Sequence, residues 1–229
     1  MPRCCVDRSA VSLVRWDDGH TRRGERLRGD VRADAVLRRA GDHPRAIPAG
    51  AEILELGSGA GRVTHELIAL GHPVVAVDSD PRMLDRIRGA ELVCARIEEL
   101  DLGRRFPVVL LGSHLVNRPE PGALLDSCRR HAGGVVLIER HPPSWFADPA
   151  GVRDVTRPGP GLLAATVDHT IGATTWTEDF VVRDHDLPVL LEEHGLAVER
   201  YLTEDERWVL SVPRQRCPGC RRTARRCPA

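Results

Sequence analysis

The 229-residue sequence contains no lysine, and aromatic residues make up only 3% of it. Arginine supplies all 33 basic side chains, which we attribute to codon usage in a GC-rich genome. With so few aromatic rings, a core must be built from Leu, Val, Ile and Ala, and the 41% of hydrophobic residues is enough for one. No apolar run reaches the roughly 18 residues of a membrane span, and residues 1–7 lack the apolar segment of a secretory signal. These absences predict a cytoplasmic protein without membrane contact.

Acidic and basic residues balance overall, but they are unevenly distributed. Residues 214–229 carry six arginines and no acid, which leaves 27 arginines against 33 acids in the rest of the chain. An acidic body argues against a nucleic-acid substrate, because such a substrate needs a broad basic surface. We therefore expect a small-molecule partner, no nucleic acid, and a monomer or homodimer.

The cysteines give little support to a metal site. Their number, seven, is odd, which in a cytosolic chain indicates reduced thiols rather than a disulfide framework. Cys217, Cys220 and Cys227 can start a zinc site, but a structural zinc takes four ligands and no histidine follows His194. We expect no metal, and a disordered tail rich in arginine and cysteine at residues 214–229.

A glycine-rich turn is the strongest signal that the sequence does contain. The apolar run 53–56 is followed by three glycines within residues 57–61, and a helical pattern of apolar residues begins after Arg62. This arrangement predicts a strand, a tight turn and a helix. Glycine lets the backbone pass close to a ligand, and the free N–H groups at a helix start favour anionic or polar ligand groups.

An acid, Asp78, ends the next β-branched run about twenty residues later, where a carboxylate can bind the two hydroxyls of a ribose. The layout suits either a dinucleotide or S-adenosylmethionine, and the glycine spacing separates the two. The dinucleotide fingerprint G-x-G-x-x-G needs its third glycine at position 62, where Arg62 stands. Glu55 followed by G-x-G-x-G instead resembles the first motif of class I S-adenosylmethionine-dependent methyltransferases, E/D-x-G-x-G-x-G.

Alternating strand and helix patterns predict an α/β protein with a parallel sheet. The resemblance implies the Rossmann-like class I methyltransferase fold, a mostly parallel seven-stranded sheet of order 3-2-1-4-5-7-6 with helices on both faces and strand seven antiparallel. Helices are predicted after Arg62, after an Asp80 N-cap, near 123–130 and from 186 to 195. The predicted strands are residues 53–56, 74–78, 91–97, 106–112, 135–139, 197–202 and 208–212.

We divide the chain into an N-terminal helical cap at residues 1–45, a methyltransferase domain at 46–213 and the tail at 214–229. A helix is predicted within the cap at residues 30–40. Between residues 141 and 183 a proline-rich loop and a β-hairpin turning at Gly172 interrupt the pattern. Long loops at strand ends often form binding sites, so we assign this insertion to the substrate side.

The resemblance implies that Glu55 meets the amino group of the cofactor and that the glycines lie against its methionyl part. Asp78 would bind the ribose, although it can alternatively cap the following helix. Arg96 stands where many family members have an acid for the adenine; since a guanidinium accepts no hydrogen bond, it either stacks on the adenine or leaves this contact to Ile97. The predicted cofactor-binding residues are Glu55, Gly57, Ser58, Gly59, Gly61, Asp78, Ser79, Met83, Arg96, Ile97, Gly112 and Ser113, of which Met83 can equally belong to the core.

Two histidines follow the fourth and fifth predicted strands, at the sheet edge where such folds bind ligands. His114 and His141 are candidate general bases, because imidazole titrates near neutral pH, although His114 can equally bond a backbone carbonyl. Residues 112–117 lack the N/D-P-P-Y/F motif of many enzymes that methylate amino groups of nucleic-acid bases or protein glutamine. The predicted substrate-binding residues are His114, Asn117, Trp145, Phe146 and Trp176, the last of which can equally be a packing residue.

The function predicted from the sequence is methyl transfer from S-adenosylmethionine to a small organic acceptor, with S-adenosylhomocysteine as product and a role in secondary metabolism. One alternative is a protein of this fold that binds the cofactor but acts as a cyclase or regulatory partner. A nicotinamide oxidoreductase is disfavoured by Arg62, and an RNA or protein methyltransferase is an alternative within the same chemistry. The sequence decides neither the acceptor nor whether oxygen, nitrogen or carbon is methylated.

Overall fold

The computed structural model describes residues 47–171 and 174–214, with the backbone alone at 169–171 and 174–176. The predicted cap at 1–45, the hairpin turn at Gly172 and tail residues 215–229 lie outside the described residues. No helix within the described ranges is long and apolar enough to cross a membrane.

Strands and helices alternate along the described chain, as the hydrophobic pattern predicts. The strands are β1 (Ile53–Leu56), β2 (Val74–Asp78), β3 (Glu91–Cys94), β4 (Phe106–Leu111), β5 (Ala132–Glu139), β6 (Arg153–Thr156), β7 (Leu162–Ile171), β8 (Thr174–Arg183), β9 (Leu196–Tyr201) and β10 (Trp208–Pro213). The α-helices are α1 (Arg62–Ala69), α2 (Pro81–Leu84), α3 (Gly122–His131), α4 (Pro143–Ala147) and α5 (Leu187–Glu193).

The central sheet has seven strands in the order β3-β2-β1-β4-β5-β10-β9. β1 to β5 pair in parallel, whereas β10 lies antiparallel between β5 and β9. Since three strands of the insertion come earlier in the chain, β9 and β10 are the sixth and seventh strands of this sheet. The predicted order and the antiparallel last strand are confirmed.

The inner strands are apolar on both sides, so helices and turns have to cover both faces of the sheet. On one face Ile53 and Leu110 pack with Leu67 of α1 and Ile87, which follows α2. On the other face the alternate strand residues pack against α3, α5 and a 3₁₀ turn at Ile97–Glu99. The sheet thus lies between two apolar layers, and its strand ends are left to form the site.

Several element boundaries differ from the prediction. β3 ends at Cys94 instead of residue 97, because the chain turns into the 3₁₀ helix there. β5 begins at Ala132 and includes Gly133 and Gly134; a Cβ on Gly134 would lie 2.4 Å from the carbonyl oxygen of Pro107, so glycine permits this close pairing. Pro107, the second residue of β4, lies at an irregularity in the pairing with β5, where a strand tolerates proline.

The insertion forms a separate three-stranded antiparallel sheet in the order β6-β7-β8. The predicted hairpin is β7 and β8, whereas the predicted loop before it contains α4 and β6. Leu163 and Ala165 of β7 pack on Phe146 of α4 in an apolar cluster of their own. Strand β8 is followed by Asp184, whose Oδ1 accepts a hydrogen bond from Arg140 Nη2 at 3.0 Å, and this ties the insertion to the end of β5.

Candidate active site

The glycine-rich turn between β1 and α1 folds back onto the tip of β2. The N–H groups of Gly57 and Ser58 both donate to the carbonyl oxygen of Val77 at 2.9 Å. The next N–H, that of Gly59, donates to Asp78 Oδ2 at 2.9 Å. The turn and the half-buried carboxylate are therefore one hydrogen-bonded unit at the carboxyl edge of the sheet.

All three glycines of the turn have positive φ, but they have different surroundings. A Cβ on Gly57 would lie 2.6 Å from Leu115 Cδ1, and one on Gly61 would lie 2.9 Å from Ile87 Cγ1, so packing requires glycine at both positions. At Gly59, with φ of +55°, such an atom would meet nothing within 4 Å among the residues that the structure describes. The backbone at Gly59 therefore borders open space beside a carboxylate, which fits a nucleoside ligand with a ribose diol.

The helix-capping role considered as an alternative for Asp78 is performed by Asp80. Asp80 caps α2, since its Oδ1 accepts from Arg82 N–H at 2.9 Å. Asp78 Oδ1 accepts from the N–H of Asp80 at 2.9 Å, which holds the carboxylate at the strand tip. Ser79 is half-buried beside it, and Met83, 6% exposed, is buried in α2.

The predicted adenine end lies after β3. Arg96 is exposed and forms ion pairs with Glu98 and Glu99, with N–O distances of 3.7 and 3.5 Å. Ile97 is buried, and its Cδ1 would lie 3.7 Å from a Cβ on Gly57. Of the two residues proposed for the adenine, Ile97 therefore lies against the glycine turn, while Arg96 is engaged by neighbouring acids.

Glu55 of β1 is 3% exposed, beneath the glycine turn. Its Oε2 accepts a hydrogen bond from Thr64 Oγ1 of α1 at 2.6 Å. Burial raises the pKa of Glu55 to about 7, although the Thr64 hydroxyl and the Arg62 charge oppose this shift. A cationic group placed at this carboxyl would favour its ionised form.

A second bend lies after β4, next to the first. Ser113 and His114 both have φ of 54°, a left-handed conformation that is uncommon for residues other than glycine. The N–H of Ser113 donates to Glu139 Oε2 at 2.8 Å, and a Cβ on Gly112 would lie 3.8 Å from the same oxygen. The end of β5 therefore holds the bend that follows β4.

Glu139 is an ion-paired carboxylate with 1% exposure. Arg207 donates from Nε and Nη2 to its Oε1, at 3.1 and 2.6 Å, and His114 Nε2 lies 4.0 Å from that oxygen. Burial opposes the charge on Glu139, but His114 and Arg207 outweigh it and lower the pKa of the carboxyl. Arg207 reaches this edge because β10 runs antiparallel, so that Trp208 at its start pairs with Glu139.

Three rings stack at this edge. His114 and His141 have centroids 4.0 Å apart at 16°, and His141 and Trp145 have centroids 4.1 Å apart, also at 16°. Burial, then the charges of His114, Arg207 and Arg140, lower the pKa of His141 to about 3. Burial also lowers the pKa of His114, against the opposing effect of Glu139. Both imidazoles are therefore neutral near pH 7.

Two of the other predicted substrate-binding residues are buried, and the third has a side chain that the structure does not describe. Asn117 is 1% exposed, with Nδ2 donating to the Arg183 carbonyl at 3.0 Å and Oδ1 accepting from His141 N–H at 2.7 Å. Its amide links the end of β5 to the end of β8. Phe146 is 5% exposed and belongs to the apolar cluster of the insertion. The side chain of Trp176 is outside the described part of the chain.

The structure also contains site residues that were absent from the predicted set. Glu139 was noted only as the end of the fifth strand, and neither Arg207 nor Thr64 was predicted. Thr64 follows Glu55 by nine residues in the first turn of α1, a spacing that could have revealed it. Arg207 is brought in by strand pairing across the sheet, and no local signal marks it.

Metal ligands do not cluster within residues 47–171 and 174–214, where no group of three or more His, Cys, Asp or Glu side chains could hold an ion. The tail cysteines Cys217, Cys220 and Cys227 lie outside these ranges.

Comparison with known proteins agrees with this geometry. Residues 53–133 match the family model described as a methyltransferase domain. The chain is 31% identical over 176 residues to the ribosomal RNA small subunit methyltransferase A of Anaeromyxobacter sp. (strain K), covering 67% of this chain and 57% of that protein. The chain thus spans little more than half the length of this curated relative.

Solved structures share the fold over most of the chain. The sugar N-methyltransferase KedS8 from Streptoalloteichus sp. has a TM-score of 0.61 at 18% identity, covering 92% of this chain and 99% of its own. The S-adenosylmethionine-bound amino pentose methyltransferase CalS10 from Micromonospora echinaspora has a TM-score of 0.56 at 19% identity, with coverages of 79% and 89%. The chain therefore contains a match to a methyltransferase domain at residues 53–133 and has the fold of class I S-adenosylmethionine-dependent methyltransferases.

Proposed function

We propose that this chain transfers the methyl group of S-adenosylmethionine to a small organic acceptor bound beside the ring stack of His114, His141 and Trp145. The observation that carries the proposal is the unit formed by Gly59 and Asp78. A carboxylate fixed by a glycine N–H borders a space that no side chain within residues 47–171 and 174–214 fills, as a ribose-binding site requires.

The residues around the glycine turn have complementary roles toward the donor. Asp78 binds the ribose hydroxyls, the buried Glu55 attracts the amino group, and Ile97 packs against the adenine. When bound, S-adenosylmethionine supplies a methyl group made electrophilic by the sulfonium. The chain has to align an acceptor with that methyl group and exclude water, and orientation of this kind removes several kcal/mol of barrier.

The proposed acceptor side is formed by the stacked, neutral rings of His114, His141 and Trp145. Because His141 has a pKa of about 3, it offers a hydrogen bond but holds a proton poorly. Such a site favours an acceptor that needs no strong base, and a neutral amine is the simplest of these. The acceptor nitrogen forms the new N–C bond with its lone pair, the C–S bond breaks with its electrons left on sulfur, and the nitrogen then loses a proton.

Two solved structures support an amine acceptor by their names, one being a sugar N-methyltransferase and the other an amino pentose methyltransferase. RNA is the second candidate, because the relative at 31% identity is a ribosomal RNA methyltransferase. Residues 112–117 lack the N/D-P-P-Y/F motif that many base-methylating enzymes carry, so we place RNA second.

The test is a paired measurement of donor binding and product formation on the full chain. Calorimetry with S-adenosylmethionine and NADH identifies the cofactor. Mass spectrometry then follows S-adenosylhomocysteine and methylated product with amino sugars, their matched hydroxyl analogues and a small-subunit ribosomal RNA transcript. We expect binding of S-adenosylmethionine alone, and turnover with an amine-bearing small molecule.

Each other outcome overturns a specific part of the proposal. Turnover with the RNA transcript alone would overturn the small-molecule acceptor. Turnover of the hydroxyl analogues alone would overturn the amine. Binding of S-adenosylmethionine without S-adenosylhomocysteine from any acceptor would favour a cyclase or regulatory role, and binding of NADH alone would overturn the cofactor.

A further inference from the structure

We propose that Glu139, backed by Arg207, is a positioning residue for the transfer: it fixes the Ser113–His114 bend and stabilises the imidazolium of His114 when the acceptor releases its proton. The inference rests on the proposed function, since it assigns the proton that amine methylation must release. In this proposal His114 receives the proton, and Glu139 and Arg207 act through it.

The backbone bend at Ser113 and His114 is held by Glu139. Two consecutive residues, Ser113 and His114, have left-handed backbone conformations that a non-glycine residue adopts only when its surroundings impose them. The one side chain that accepts the N–H of Ser113 among the described contacts is Glu139, through Oε2 at 2.8 Å. Because Glu139 is fully packed at the end of a central strand, it is a rigid anchor for this bend.

The two carboxylate oxygens of Glu139 have different partners. Oε2 holds the backbone of Ser113, while Oε1 accepts two hydrogen bonds from Arg207 and lies 4.0 Å from His114 Nε2. Arg207 therefore keeps the buried carboxylate ionised, and the carboxylate in turn faces the imidazole. A carboxylate in this place stabilises a protonated imidazole, whereas the guanidinium behind it destabilises one.

The charged and titratable groups around His114 come from three segments. Glu139 favours its protonation, whereas Arg207, which precedes β10, and Arg62 at the start of α1 disfavour it. His141 stacks on its ring, and the backbone of Arg140 favours the protonated form. The opposing contributions of Glu139 and Arg207 predict opposite effects when each charge is removed.

The proposed transfer of a proton from the acceptor to His114 needs no further reactant. After the acceptor nitrogen has gained the methyl group, its N–H bond breaks and leaves the electron pair on nitrogen. The proton passes to a ring nitrogen of His114, and the resulting imidazolium is stabilised by Glu139 until solvent removes the proton. Neutral His114 is thereby ready for the next turnover.

The experiment compares Glu139→Gln with Arg207→Gln, two amide variants that remove opposite charges. The pKa of His114 is measured by NMR titration of its ring proton in ligand-free protein, assigned with His114→Gln. We expect the pKa of His114 to fall by about one unit in Glu139→Gln and to rise by about one unit in Arg207→Gln. The acid limb of the pH–rate profile for an amine acceptor shifts in the same directions.

A purely structural role for Glu139 would leave the pKa of His114 equal in both variants, and that result would overturn the proposal. If a single variant fails to fold, the double variant Glu139→Gln/Arg207→Gln removes both charges together and leaves neither of them buried and unpaired. Its His114 pKa is expected between those of the two single changes, and a value equal to that of Glu139→Gln would remove Arg207 from the proposal. Because the titration needs no ligand, a failure of S-adenosylmethionine binding is a separate result.

Discussion

The carboxylate of Asp78 and the backbone N–H of Gly59 are joined by a hydrogen bond of 2.9 Å, across 19 residues of sequence. This contact unites the two features on which the proposed donor site depends, a glycine-rich turn and an acid at the next strand tip. Asp80 and Gly103 offer matched controls, so the two features can be tested separately by experiment.

Replacing Asp78 with alanine should weaken S-adenosylmethionine binding about 30-fold or more, because charge-assisted hydrogen bonds to the ribose are lost. Calorimetry gives the dissociation constant. Asp80→Ala is the control, since it removes a carboxylate two residues away that caps α2. It should lower the free energy of unfolding by about 1 kcal/mol and leave the affinity unchanged. Equal losses of affinity in the two variants would remove Asp78 from the site.

Gly59→Ala should weaken donor binding at least about tenfold while the protein still folds, because the new methyl group enters the open space beside Asp78. The control is Gly103→Ala, where φ is +64° and nothing lies within 4 Å of the added atom. Both changes carry a similar backbone cost, about 1 kcal/mol, visible in urea unfolding. Unaltered affinity in Gly59→Ala would mean that the donor binds elsewhere.

Glu55 should make the protein less stable as the pH rises. Its pKa is about 7 in the folded state and 4.5 as the reference value, so between these values the folded state holds a proton that the unfolded state releases. The free energy of unfolding should therefore fall by up to about 3 kcal/mol between pH 4.5 and pH 7.5. Urea titrations across this range measure the slope.

Glu55→Gln should remove most of that slope, because the amide does not titrate. The variant should be close to the parent at low pH and more stable above pH 7. It should also bind S-adenosylmethionine more weakly, since it lacks the charge that attracts the amino group. A slope that persists in Glu55→Gln would assign the pH dependence to other groups.

Asn117→Ala should destabilise the fold by about 3 kcal/mol, because the buried N–H of His141 and carbonyl of Arg183 both lose their partner. Donor affinity should stay the same, since Asn117 lies on the insertion side. Thermal and urea unfolding test the first expectation and calorimetry the second. Unchanged stability with a raised acceptor KM would instead give Asn117 a substrate contact.

Much of the central fold could be predicted from the sequence, because local patterns determine it. The apolar runs of β1, β2 and β4 and the N-cap at Asp80 are readable along the chain. The start of β5 was missed because Gly133 and Gly134 resemble a loop, and only the neighbouring backbone of β4 shows why glycine belongs in a strand there. The order of the strands came with the family resemblance, since no local pattern encodes it.

The candidate site also contains residues that could be predicted from local sequence and residues that could not. Asp78 and the glycines were predicted, because strand, turn and strand tip are close in sequence. Arg207 was missed because it reaches Glu139 across 68 residues through an antiparallel pairing. The pKa of about 3 at His141 arises from burial and nearby charges, which spacing alone does not encode, and it disfavours the general-base role for which His141 was a candidate.

The insertion sheet β6–β8 has an apolar cluster of its own, distinct from the two that flank the central sheet. The central sheet therefore has packing layers that are separate from the cluster of the insertion. Replacement of the insertion by another segment is expected to leave those layers in place, provided that the Arg140–Asp184 and Asn117–Arg183 junctions are preserved.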